Sequence, residues 1–161
     1  LESEYNIFYK APYSIIDVLE SKEVFDMCVS TTTLEHFTKK DIDSFLLNLK
    51  KIIKHKGHVS SAIDYSDHYS HTDNNIKSLN FLKYDEVEWQ KFNSSFLYQN
   101  RLRHKDYEKI FNSFGYKIID NIEGPKGEAV PNISKEYNSL DENILILWGY
   151  YLIENNLEIK T

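Results

Sequence analysis

Hydrophobic and polar positions alternate most clearly between Phe25 and Asp73. Phe25 to Val29 is an apolar run too short for a helix and bounded by polar residues, the pattern of a buried parallel strand. It gives way to Ser30-Thr31-Thr32-Thr33, four small hydroxyl residues. Ile42, Phe45, Leu46, Leu49, Ile52 and Ile53 then fall on one helical face. Thr38 with Asp41 three residues on predicts a capped start to that helix, and Gly57 after Lys54-His55-Lys56 predicts its stop. A second apolar run, His58 to Ile63, ends at Asp64. Strand, polar loop, helix, glycine stop and strand make one βαβ unit. Ligands of open sheets built from such units sit at the carboxyl ends of the strands. Here those ends are Ser30 to His36 and Asp64 to His71.

The rest of the chain reads as follows. Tyr5 to Tyr9 alternates weakly and predicts a short strand, closed by Ala11-Pro12-Tyr13. Ile15 to Leu19 predicts a short helical turn. Asp64 to Asn80 is polar and rich in turn formers, and Asp85 to Phe92 predicts a short helix carrying Trp89. Tyr107, Ile110, Phe111 and Phe114 define one face of a further helix, which Gly115 ends. Lys117 to Ile122 and Ile144 to Ile153 predict two strands, paired antiparallel at the end of the sheet. The class is α/β.

At 161 residues the chain predicts a single domain with a sizeable core. Net charge is -6, with no Lys/Arg cluster longer than two residues, so no nucleic-acid partner is expected. The one cysteine, Cys28, lies within the first core strand and cannot form an internal disulfide, which predicts a reducing compartment. No apolar run approaches ~20 residues and no signal peptide opens the chain, so the expected location is cytoplasmic, away from membranes. The first residue is Leu1 rather than Met, which suggests that the chain begins after a removed segment.

The stretch FDMCVSTTTLEHF, a helix, and HKGHVSSAID resemble the second half of a class I S-adenosylmethionine-dependent methyltransferase. That family's pattern is an apolar strand beginning Phe-Asp, a Leu-Glu-His tripeptide, an amphipathic helix, Lys-x-Gly-Gly and another strand. Leu34-Glu35-His36 matches the tripeptide, and Lys56-Gly57-His58 departs from the double glycine. The continuation IDYSDHYSHTD, NFLKY and NRLRHKDY is similar to one subgroup, and the likeness covers roughly Ala11 to Glu123.

The resemblance implies an incomplete Rossmann-like methyltransferase sheet, mostly parallel with an antiparallel C-terminal strand. It also implies a single domain over 1–161, truncated at its N-terminal side. The family binds its cofactor through a glycine-rich turn after the first strand, where backbone and helix N-terminus approach the ligand closely. The glycines here are Gly57, Gly115, Gly124, Gly127 and Gly149, and none opens a helix after a strand in that way. The first βαβ unit is therefore expected to be missing, with cofactor binding weak or absent and the isolated chain inactive. The outer edge of Phe25–Ser30 would be left unpaired. Self-association through that edge, or its cover by Tyr5 to Tyr9, is the expected remedy.

By resemblance, cofactor contacts fall to Ser14, Ser30, Thr31, Thr32, Glu35 and His36, with Ser14 where family members often carry an acidic residue. His36 reads equally as a brace of the following helix, and Glu35 reads first as such a brace. His36, Asp67 and His68 are the catalytic candidates, imidazole and carboxylate groups that could take a proton from an acceptor. Asp64, His68, Tyr69, His71, Asn100, Arg101 and Arg103 are the expected contacts to a small-molecule or saccharide acceptor. Arginine suits bidentate carboxylate or phosphate recognition, although ordinary surface charge reads the same way. His68 and His71 with three nearby aspartates offer metal-ligand atoms, and a metal-dependent hydrolase is a third reading. The short loop has no recognised ligand frame, so no metal is expected. A non-catalytic methyltransferase-like module, acting as a partner or regulatory subunit, is the alternative function.

Overall fold

The computed structural model describes residues 2–137 and 141–156. A short α1, Glu2–Tyr5, is followed by exposed coil rather than by a strand. The alternation at Tyr5–Tyr9 has no neighbouring strand to pair with, and these side chains stay in solvent. Helix α2 spans Ile15–Ser21. Ser14 caps it, accepting from the Asp17 amide while its own amide and hydroxyl donate to the Asp17 carboxylate. Strand β1 is Phe25–Thr31, and helix α3 is Lys39–Ile52 with the expected Thr38–Asp41 capping box.

The predicted glycine stop of α3 is corrected by the structure. The helix ends at Ile52, and strand β2, Ile53–Asp64, begins at once. Gly57 lies inside β2, after Lys56 at φ 60°. The register slips here: Phe25 pairs Ile53 while Met27 already pairs His58. A Cβ on Gly57 would lie 2.9 Å from the Asp26 carbonyl and 2.8 Å from Ile53 Cγ2, so the close approach of β1 demands glycine.

Helix α4, Glu86–Trp89, carries Trp89 into a small buried cluster with Leu79, Phe81, Leu82, Val130 and Ile144. Helix α5, His104–Ser113, ends at Gly115 with φ 71°, as its pattern predicts. Strand β3 is Tyr116–Glu123, and β4 is Trp148–Asn155. The last strand starts later than the apolar run implied, because Glu142–Leu145 forms a 3₁₀ turn.

The four strands lie in the order β1-β2-β4-β3. β1 and β2 are parallel, and β4 runs antiparallel to both β2 and β3. This is the mixed sheet that the sequence implied. One face packs against α3 and α5 through Val59, Ile63, Tyr151 and Ile153 with Ile42, Leu46, Leu49, Tyr107 and Phe111. On the opposite face Phe25, Met27 and Val29 are exposed. No helix among the described residues is long and apolar enough to cross a membrane.

Candidate active site

The parallel register of β1 and β2 brings their carboxyl ends together. Beyond the last paired residues, the Thr32 amide donates to the Ala62 carbonyl at 2.9 Å. Thr32 sits at φ 46°, which turns the chain into a 3₁₀ turn, Leu34–His36. On the other side Asp64 ends β2, and Asp67 caps a second 3₁₀ turn, His68–His71. The two turns meet face to face, with the His36 and His68 ring centroids 5.0 Å apart and the His68 and His71 rings stacked at 5.1 Å.

Asp64 organises the second turn. Its Oδ1 accepts from the Ser66 amide and hydroxyl. Its Oδ2 lies 3.6 Å from His68 Nε2 and 3.7 Å from His71 Nε2. Burial opposes ionisation of Asp64, but the His68 ring and the Ser66 donors outweigh it and hold the carboxyl below its usual range. Asp64 in turn raises His68 against the opposing effect of burial. Glu35 is different. It is 1% exposed, neither carboxylate oxygen has a hydrogen-bond partner apart from its own backbone amide, and burial pushes its carboxyl up.

A brace missed by sequence reasoning holds both turns. The Asn100 side chain donates to the Leu34 and Phe37 carbonyls, and its amide donates to Glu35 O. Gln99 donates to the Ser66 carbonyl and accepts from the His68 amide. His36 Nδ1 lies 2.9 Å from the Tyr98 carbonyl. Three consecutive residues thus fix Glu35, His36 and His68. The partners are 31 to 66 positions away in sequence, so no local signal marks them.

Several of the other expected site residues serve the structure instead. Ser14 spends its hydroxyl on the α2 cap. Ser30 Oγ is buried without a partner, while Thr31 and Thr32 are exposed at the strand tip. Asp67 is 1% exposed and accepts from the Tyr69 amide as a cap. Tyr69 donates to the Phe92 carbonyl. Arg101 donates to the Phe81 and Tyr84 carbonyls and pairs with Glu86 and Glu136. Arg103 is 2% exposed, donates to the Tyr65 and Ile146 carbonyls, and lies between the Tyr65 and Phe81 rings. Burial brings its pKa down to about 10. A crevice of about 410 Å³, lined in part by Thr32, Asp64, Ser66, His71 and Trp148, opens beside the strand tips.

Comparison with solved structures shows the fold. A S-adenosylmethionine-dependent methyltransferase from Archaeoglobus fulgidus superposes with a TM-score of 0.54 at 12% identity, over 94% of this chain and 69% of that one. A candidate methyltransferase from Bacillus halodurans C-125 gives 0.50 at 9% identity, over 92% and 68%. In sequence, 130 residues are 32% identical to transcription elongation factor GreA of Borreliella burgdorferi. That match takes in 76% of this chain but only 13% of the longer protein. No protein-family pattern matches the chain. The chain has the methyltransferase fold.

Proposed function

We propose that this methyltransferase-fold chain is the latter portion of an S-adenosylmethionine-dependent methyltransferase acting on a small-molecule or saccharide acceptor. The observation that carries this reading is the meeting of the β1 and β2 tips, which gathers Glu35, His36, Asp64 and His68 in one place. Open sheets bind ligands there.

The residues present form one wall of a cofactor site. Thr31, Thr32 and the Glu35–His36 turn stand on the β1 side, and Asp64, His68 and His71 on the β2 side. Ser14 is committed to its cap, so the adenine contact expected of it falls to other residues. When bound, S-adenosylmethionine supplies a methyl group on a positively charged sulfur. The chain's part is to align an acceptor oxygen or nitrogen with that methyl, and alignment carries much of such a reaction. His68, 3.6 Å from Asp64, and His36 on the facing turn are the groups that would take the acceptor's proton. The terminal guanidinium nitrogens of Arg101 and Arg103 are spent on carbonyls and on Glu86 and Glu136, so both side chains brace the wall.

The glycine-rich turn that completes the cofactor site is assigned to a separate first βαβ unit, one that would pair with the bare edge of β1. Calorimetric titration of the chain with S-adenosylmethionine is expected to give weak or no binding. Micromolar affinity would show that the site is complete without that unit. A non-catalytic module is the second reading, and a match confined to 13% of a longer protein is what an embedded module would give. Methyl transfer by the parent protein, lost in His68→Ala, decides for the enzyme.

A further inference from the structure

Glu35 presents a problem in electrostatics. Its side chain is 1% exposed, and apart from its own backbone amide neither oxygen meets a hydrogen-bond donor. The charged groups that act on it most strongly are His36, Asp64 and His68. Buried carboxylates are ordinarily paired or hydrogen-bonded, because leaving water uncompensated is costly. One ligand atom each from Glu35, His36 and His68 nonetheless lie within 4.8 Å of one another.

Both imidazoles are set up as ligands. The Tyr98 carbonyl takes the proton on His36 Nδ1, which leaves the Nε2 lone pair free. His68 Nε2 is buried and makes no hydrogen bond, and Asp64 Oδ2 stands 3.6 Å away. Two carboxylates thus face two imidazoles.

We propose that Glu35, His36 and His68 bind a divalent first-row transition ion, with Asp64 as a second carboxylate beside it. Two imidazoles and a carboxylate suit zinc, iron or manganese better than calcium or magnesium. Bonds of about 2.1 Å place ligands about 3.4 Å apart in a tetrahedral site, so the three side chains close by roughly an ångström on binding. His36 is exposed, so the ion keeps a side open toward solvent. This departs from the sequence expectation that no metal binds. A ring nitrogen that holds a metal cannot also take a proton, so occupancy excludes the base role of His68. Metal binding is measured without cofactor or acceptor, and its outcome is separable from methyl transfer.

The test uses the chain without a polyhistidine tag, stripped with chelator. Zinc is titrated by calorimetry and cobalt by visible absorption. The expected result is one equivalent bound with a Kd of about 10 μM or tighter, with cobalt d–d bands. Glu35→Gln, His36→Ala and His68→Ala should each weaken binding by roughly tenfold or more. His58→Ala, on β2 beside Glu154, should leave it unchanged. His36 is exposed, so His36→Ala reports even where Glu35→Gln fails to fold. Absence of binding at 100 μM zinc (about tenfold above that Kd), or binding that His36→Ala leaves intact, overturns the proposal.

Discussion

Strands β1 and β3 each run along an edge of the sheet with one neighbour. Along β3 the exposed residues are Lys117, Ile119, Asp120, Asn121, Ile122 and Glu123, charges interleaved with two isoleucines, and a register shift between Ile118 and Asp120 breaks the row of free backbone groups. Charge and a bulge are the usual ways in which a sheet closes an edge against other strands. Along β1 the exposed side chains are Phe25, Asp26, Met27, Val29 and Thr31, with Val29 67% exposed. Its one charge, Asp26, is tied to Lys54 at 2.8 Å. Parallel strands are ordinarily covered on both faces, so β1, whose single charge is paired with Lys54, is expected to take a partner strand more readily than β3.

The contrast is broken most directly by charging each edge. Sedimentation should find the chain self-associating at tens of micromolar, a range set by typical modest affinities. Met27→Lys with Val29→Lys should weaken that association roughly 100-fold, about 2.7 kcal/mol. Ile119→Lys on β3 should leave it unchanged. A wild-type chain that stays monomeric removes the distinction between the edges.

Next in size is Gly57→Ala. Its methyl would press on the Asp26 carbonyl and on Ile53, and a cost of about 2 kcal/mol is expected in chemical denaturation. Thr38→Ala removes the cap of α3, the helix behind the β1–β2 junction, and should cost about 1 kcal/mol. Ser14→Ala, at the largely exposed α2, should cost less.

The smallest expected effect lies on the β3 side. His104 is buried, bonds Asn121 of β3 through Nε2 and the Tyr65 hydroxyl through Nδ1, and stacks on Tyr151. Burial holds its pKa below the usual histidine range, against the Asn121 bond and the pull of Glu108 and Glu123, while Arg103 adds to the depression. The folded chain therefore binds this proton less readily than the unfolded chain. Stability from this group is whole above the unfolded value of about 6.5 and falls as pH drops through it. Melting temperatures at pH 7.5 and 5.5 should show the loss, and His104→Gln should reduce it.

The βαβ frame was legible because short apolar runs and one long 3.6-residue period carry it. The end of α3 was not. Ile53 satisfies the helical period and is buried, but as the first residue of β2. Gly57 reads as a helix stop until the approach of β1 is seen. Tyr5–Tyr9 alternates like a strand, yet alternation without a partner leaves coil. At the site, Leu34-Glu35-His36 and the Asp64–His71 loop could be picked from sequence, but their convergence depends on register and on Gln99 and Asn100. Arg101 and Arg103 looked alike, as acceptor contacts or as surface charge. Fold topology buries Arg103 against two carbonyls and two rings, which no local pattern announces.

The pair Gln99–Asn100 fastens the Leu34–Phe37 turn with one amide and the Ser66–His68 turn with the next. A single pin through two hinges transmits whatever loosens it. Any tug on this short segment, from a neighbour seated near Tyr98 or from a nearby substitution, reaches both turns together rather than one at a time.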